Sequence, residues 1–343
     1  MSKLRGALIG CGFFARNHLH GWAEVEAAAI VATCDVDRSR AEAYAREFGI
    51  AAAYADPAEM LVRERLDFVD IVTQPGTHRE LTELAASRGV HVICQKPMAP
   101  SLEEARSMVA ACRAAGVRFM VHENFRWQRP MRELKQASEE LGELFFGRIT
   151  WRTPFDIYHY QPYLAEDPRF IIADLGVHLL DLARFFLGEV EQLYCVTRRV
   201  NPRIQGEDVA TILLKMRSGA ACVVEASYAS PLEDDPFPQT LVYLEGSEKT
   251  AILSPGFELT VTRPGETVRR DVSPPLLSWA SPPAHAIQES IPSLQRHWVE
   301  CLREGREPET SGVDNLRTLE LVYGAYESAE TARAVNPHGE QTR

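Results

Sequence analysis

Three side chains could between them move a proton and hold an alkoxide: Lys96, Asp174 and His178. Oxidising a secondary alcohol or hemiacetal sends hydride from carbon as a proton leaves oxygen, so a base must sit within about 3 Å of the hydroxyl. An imidazole, with an ordinary pKa of about 6.5, accepts and returns that proton near neutral pH. His178 is therefore the candidate base. Asp174 precedes it by four residues, so on a helix both project from one face, and the carboxylate can orient the imidazole or hold a neighbouring hydroxyl. Lys96 lies between two apolar segments and supplies a positioned cation for developing alkoxide charge. Taken alone, Asp174 and His178 read better as an N-cap acid and a packed helix histidine; Lys96 and a dinucleotide loop are what reverse that reading. Zinc is a poor alternative because no third ligand stands at a recognisable spacing. Asp181, one turn further on, reads as structural.

The loop is Gly10-Cys11-Gly12-Phe13-Phe14-Ala15, a G-x-G-x-x-A run between an apolar strand and a helix. Gly10 permits the tight turn, Gly12 lets backbone approach a pyrophosphate, and Ala15 lets helix and strand pack closely while the helix N-terminus faces negative charge. Asp35, at the end of the second strand, can hydrogen-bond the adenosine ribose hydroxyls and would repel a 2′-phosphate, so NAD is expected rather than NADP. Arg38 reads as a solvated first-turn residue. Thr73-Gln74-Pro75 with His78, and Gln95-Lys96-Pro97, follow the fourth and fifth strands and fall where loops line a cofactor crevice. Glu123 and Asn124 end the sixth, within reach of nicotinamide or substrate. Arg126, Trp151 and Tyr158, a forked donor and two aromatic platforms, are the expected substrate contacts, although each serves equally as core.

Positioning these residues takes two domains. Short apolar strands at Leu4 to Ile9, Ala29 to Cys34, Phe68 to Val72, Val90 to Cys94 and Val117 to Val121 alternate with helices. Helix signals are Asp56-Pro57, the Ser101-Leu-Glu-Glu104 capping box, and Gly49, Gly89 and Gly116 as stops. With one more counted between the second of these and Phe68, six strands without sharp period-2 alternation indicate a doubly wound parallel α/β domain over 1–124, with its ligand site beyond the strands' carboxyl ends. From 125 to 343 strands predominate, running from Gly147 to Thr262 with turns at Ser218-Gly219 and Glu245-Gly246, and the reading is an α+β domain with a mostly antiparallel sheet. Ala284 to Arg303 and Val313 to Ala334 read as helices packed on it. Two proline-rich loops, Ser230 to Gln239 and Ser273 to Pro283, read as connectors, lids or oligomer arms.

Composition narrows the partners. The 343 residues carry 37 Lys+Arg against 48 Asp+Glu, a net charge of −11, the wrong sign for neutralising phosphates, so nucleic acid is not expected. Seven scattered cysteines without a C-x-x-C pair predict reduced thiols and a cytoplasmic protein. Neither a signal peptide nor a membrane span is expected.

Gly10-x-Gly12, Thr73-x-Pro75-x-x-His78, Lys96-Pro97 and Asp174-Leu-Gly-Val-His178-Leu-Leu-Asp181 together resemble the glucose–fructose oxidoreductase, inositol dehydrogenase and MocA family, from the first strand to near Thr331. The resemblance implies a Rossmann domain followed by an open antiparallel sheet that mediates homodimers or homotetramers, an NAD-dependent sugar or polyol dehydrogenase, and places for Lys96, Asp174 and His178 beside the nicotinamide. Gln95 departs from the glutamate usual there, which puts the tuning of Lys96 in question, and glycines common before the acid are replaced by Phe170-Ile-Ile-Ala173. Cys94 to Ser101 and His122 to Gln128 are similar to the branch that oxidises the pentose D-apiose to its lactone or acid. Competing readings are a hydrolase or lyase that recycles retained NAD and a non-catalytic dinucleotide-binding regulator.

Overall fold

The computed structural model describes residues 2–232, 239–282 and 284–339. Most of the Ser230 to Gln239 loop, Pro283 and the last four residues of the polar tail lie outside them. The chain divides into two compact units, one formed by residues up to Asn124 with Ile287–Leu316, the other by Phe125–Ala286 with Arg317 onward.

In the first unit the order is β1 (Leu4–Ile9), α1 (Ala15–Ala23), β2 (Ala28–Cys34), α2 (Arg38–Phe48), β3 (Ala52–Tyr54), α3 (Pro57–Arg63), β4 (Phe68–Ile71), α4 (His78–Ser87), β5 (His91–Gln95), α5 (Leu102–Ala115) and β6 (Phe119–His122). All strand pairs of this sheet are parallel, in the order β3-β2-β1-β4-β5-β6. The residues of β4 and β6 are buried throughout, as strands covered on both faces must be. The local signals hold: the Asp37 and Asp56 side chains cap α2 and α3, Ser101 Oγ accepts from Glu104 N at 3.2 Å, and left-handed Gly49 and Gly116 close α2 and α5. Strand order reverses between β1 and β4, so the loops after them diverge there and leave a crevice. Gly10 has φ +98°, and a Cβ there would lie 2.7 Å from Val72 O, so only glycine allows the two loops this approach.

The second unit holds α6 (Arg129–Ser138), β7 (Leu144–Arg152), α7 (Ile157–Tyr160), α8 (Val177–Leu187), β8 (Val190–Arg198), β9 (Val209–Met216), β10 (Ala221–Ser227), β11 (Leu241–Gly246), β12 (Thr250–Ser254), β13 (Glu258–Arg263) and β14 (Glu266–Asp271). Its eight strands run β14-β13-β12-β11-β7-β10-β9-β8, antiparallel except for β7 with β10. The alternation in β9, with Ala210, Ile212, Leu214 and Met216 buried, marks a sheet with one packed face. The sequence reading ended this sheet at Thr262. Strand β14 was missed because all six of its residues are exposed and give no period-2 pattern; backbone pairing to β13 around Pro264-Gly265 makes it.

Helices α9 (His285–Glu304) and α10 (Gly312–Thr331) complete the chain. The reading that everything after 124 belongs to the second domain differs from the observed division, because 287–316 packs into the first unit. Trp298, fully buried, meets Phe68 edge-on at 6.5 Å, and Val121 and Thr310 exchange hydrogen bonds beside β6. All seven cysteines are free and buried, and no helix among the described residues is long and apolar enough to cross a membrane.

Candidate functional site

The glycine loop is shaped for a dinucleotide. A Cβ on Gly12 would meet nothing within 4 Å, so the backbone there borders open space. Phe13 is exposed, while Phe14 packs inward, its ring edge-to-face with His18 at a centroid separation of 5.5 Å. Tyr44 braces the loop from α2, its hydroxyl donating to Gly12 O at 2.8 Å. Asp35 Oδ2 accepts from Cys11 N at 2.7 Å and Oδ1 from Asp37 N at 2.9 Å. Each carboxylate oxygen has a second lone pair, so these bonds orient Asp35 and leave it acceptor capacity for ribose hydroxyls. Arg38 Nε pairs with Glu42 along α2 at 3.0 Å, the surface role the sequence suggested. Burial, with Asp35 next, pushes the Cys11 thiol up to about 12, so it is protonated and inert beneath the loop.

After β4, the Thr73 hydroxyl accepts from Thr77, and Gln74-Pro75 starts a single 3₁₀ turn, Pro75–Thr77. His78 is fully buried with Nε2 3.0 Å from Thr73 O and Nδ1 3.2 Å from Met98 O. Its ring staples the loop after β4 to the loop after β5, so both nitrogens face backbone carbonyls. Burial lowers its pKa. At the end of β5, Gln95 Oε1 accepts from Lys96 N at 2.7 Å, and a cis peptide joins Lys96 to Pro97. Lys96 is half-buried. Glu123 is fully buried, and the Asn124 amide donates to Ser290 Oγ of α9 at 2.9 Å. Asn124 thus ties β6 to α9.

In the second unit, Asp174 and His178 stand on one continuous helical segment, but the path is not the plain α-helix the sequence reading assumed. A π turn, Ile172–Gly176, holds Asp174 and leads directly into α8, which carries His178. The wider turn changes the register across the four-residue spacing. Its entry is capped from afar. Glu207 Oε1 accepts from Ile172 N and Oε2 from Phe170 N, Ile171 N donates to Glu207 O, and Tyr326 Oη accepts from Ala173 N while donating to Glu207. These bonds satisfy the orphan amides of a buried helix start, and an anion suits that end of the dipole. Burial and Glu207 push the Tyr326 phenol far up. Gly206 allows this approach: a Cβ there would lie 2.6 Å from Asp167 O. Glu207→Ala is expected to lower unfolding free energy by about 3 kcal/mol, since it orphans several buried donors at once. An unchanged urea midpoint would show the helix start to be satisfied by other groups.

The His178 ring lies parallel to Phe125, centroids 3.9 Å apart and planes at 3°, with both residues buried. Phe125 in turn packs on Trp151 at 5.5 Å. Trp151 is thereby part of the support for His178. Phe125 was not singled out in the sequence, where one aromatic among many after β6 carries no signal. Asp174 is near enough to two tyrosines for its charge to be felt. Burial first and Asp174 next raise the Tyr228 phenol well above its ordinary value and the Tyr163 phenol to about 12, so both are protonated donors at neutral pH. Tyr158 is half-buried against Phe170, and burial pushes its phenol to about 12. Arg126 differs from the expected sugar-binding fork. It is buried, and its Nε and Nη2 close on the two oxygens of Asp181, to which Thr318 also donates. Two parallel bonds to a carboxylate use the planar fork for packing α8, which gives Asp181 the structural role expected of it.

Residues 4–123 match the family model described as an oxidoreductase family with an NAD-binding Rossmann fold, GFO/IDH/MocA, and residues 129–251 match the GFO/IDH/MocA C-terminal domain. The chain is 52% identical over 337 residues to a D-apiose dehydrogenase of Paraburkholderia graminis, covering 98% of this chain and 90% of that one. It is 51% identical to a D-apiose dehydrogenase of Rhizobium rhizogenes, covering 98% of each. Among solved structures, an oxidoreductase from Agrobacterium radiobacter in complex with NAD+, L-tartaric acid and magnesium superposes with a TM-score of 0.96 at 50% identity, covering 98% of this chain and 99% of that one.

Proposed function

Because the chain belongs to the GFO/IDH/MocA oxidoreductase family with its NAD-binding Rossmann fold, we propose that it is a D-apiose dehydrogenase that oxidises the sugar's hemiacetal carbon to the lactone with NAD. The observation that carries this reading is half-identity, over nearly the full length, to two proteins of that activity. NAD, when bound, would supply the hydride acceptor. The remaining work falls to the chain's own side chains. His178 takes the hydroxyl proton as hydride leaves the same carbon, so the products are lactone, NADH and one proton. Asp174 holds a neighbouring hydroxyl, with the protonated phenols of Tyr163 and Tyr228 as donors beside it. Lys96 binds the reacting oxygen and offsets its developing negative charge.

The first test is absorbance at the NADH band while the protein meets a panel of aldoses, including D-apiose, and inositols, with NAD and separately with NADP. NADH growth with D-apiose is the expected result. Silence across the panel, with NAD still raising the melting temperature as a bound ligand must, would overturn the reading in favour of retained NAD or a regulator. Asp35→Ala should raise the Kd for NAD about tenfold and narrow the preference over NADP, because the lost acceptor serves the ribose hydroxyls and repels a 2′-phosphate. An unchanged preference by titration with both cofactors would move that role away from Asp35.

We also propose a cytoplasmic homodimer or homotetramer formed through the eight-stranded sheet. Tyr194, Val196 and Leu213 are exposed on neighbouring strands β8 and β9, a patch that a second copy would cover. Light scattering that returns a monomer mass would refute it.

A further inference from the structure

We propose that Gln95, held by a buried His18–Asp70 pair, is the positioning residue for Lys96, and that its amide keeps this support independent of pH. The proposal rests on the reading of Lys96 as the group that binds the reacting oxygen.

Four groups form one chain of contacts. His18 Nδ1 lies 2.8 Å from Asp70 Oδ2, both side chains being fully buried. His18 Nε2 lies 3.0 Å from Gln95 Nε2, and Gln95 Oε1 lies 2.7 Å from Lys96 N. The direction of every bond follows from the ends. Lys96 N–H can only donate, so the Gln95 atom facing it is the carbonyl oxygen. The other Gln95 atom is then the NH₂, which can only donate, so His18 Nε2 presents its lone pair. An ionised Asp70 can only accept, so His18 Nδ1 carries the hydrogen. His18 is thus a neutral imidazole of one tautomer. Asp70 is oriented further by Trp22 Nε1, which donates to the same oxygen at 2.7 Å.

The surroundings fit that assignment. From β6 the His122 ring lies over His18, centroids 4.1 Å apart. From β5 comes Cys94, whose buried thiol is held protonated by burial first and then by Asp70. Phe14 comes from the residue before α1 and Trp22 from α1 itself, and from α9 Gln295 donates to the His18 carbonyl at 3.1 Å. Asp70 is the carboxylate that these contacts bring to the ring.

A glutamate at position 95 would invert the logic. One oxygen would still accept from Lys96 N, but the other would face the Nε2 lone pair. That contact is attractive only if His18 takes a second proton and bridges two carboxylates. The net charge of the cluster would then remain −1, with one proton gained. In alkali the proton leaves, two anions flank a neutral ring, and the support of Lys96 is lost. With the amide, the donor facing the Nε2 lone pair is an NH₂ that carries no charge to lose.

Gln95→Glu and Gln95→Ala test this, with imidazole ¹⁵N shifts of His18 assigned by comparison with His18→Asn. The wild type should show the neutral Nδ1–H tautomer from about pH 6 to about pH 9, and Gln95→Glu an imidazolium at neutral pH. Gln95→Ala should lower kcat about tenfold at every pH. Gln95→Glu should be near wild type in acid and fall about tenfold in alkali, with thermal shift by NAD confirming that each variant is folded. A wild-type His18 that is doubly protonated, or that carries its hydrogen on Nε2, would overturn the proposal, as would a pH profile of Gln95→Glu parallel to wild type. The ¹⁵N result does not depend on the role of Lys96. If Lys96→Ala keeps full turnover while His18 shows the expected tautomer, the functional reading fails and the hydrogen-bond chain stands.

Discussion

Lys96→Ala lowers kcat for sugar oxidation by about 10²-fold or more and leaves NAD affinity unchanged. The size follows from the role. A positioned donor or cation acting where charge develops in a dry site contributes about 3 to 4 kcal/mol to the transition state. The Lys96 backbone is held by the hydrogen bond from its N–H to Gln95. NAD affinity is spared because the pyrophosphate and ribose are assigned to the glycine loop and Asp35, whereas the Lys96 ammonium is assigned to the reacting oxygen. Turnover from NADH absorbance and NAD binding from thermal shift separate the two. A variant that turns over like wild type removes Lys96 from the chemistry. One that loses NAD binding in proportion makes it a cofactor residue instead.

His178→Ala loses about 10²-fold or more in kcat with the same sparing of NAD binding, as loss of a positioned general base requires. The parallel stack on Phe125 adds a second expectation. Removing the ring opens a flat, apolar-walled slot beside Phe125, and imidazole added to the solution should enter it and restore part of the lost rate. Rescue that grows with imidazole and saturates would identify the missing function as proton transfer. A full-rate variant would dismiss His178 as the base, and a slow variant that imidazole cannot help would leave its role as packing.

Several features were legible before any coordinates, and they share one property: their signal is local. Apolar runs bounded by turns locate β1, β2, β4 and β5; Ser101 and Glu104 mark the start of α5, and Gly116 its end. The glycine loop and Asp35 lie at the ends of adjacent parallel strands, so their spacing along the chain already encodes their proximity. Lys96 stood out by its place at a strand end, whereas Asp174 and His178 read alone as a cap and a packed histidine and were singled out only through the family resemblance. The edge strand β14 escaped because its evidence is backbone pairing alone.

The sequence by itself determined the parallel nucleotide-binding sheet, the loop that bears Gly10 and Gly12, and the residue types available for proton transfer. Only the tertiary structure decided how those residues are held. His18 meets Asp70 from 52 residues away and Gln95 from 77, Arg126 closes on Asp181 across 55, and Tyr326 reaches Glu207 across 119. It also decided that 287–316 belongs with the first unit and that Phe125 supports His178. The reason is physical. Hydrophobic period and turn chemistry repeat along the chain and can be read there, whereas a buried acceptor takes whichever donor the fold delivers, and that pairing leaves no period in the sequence.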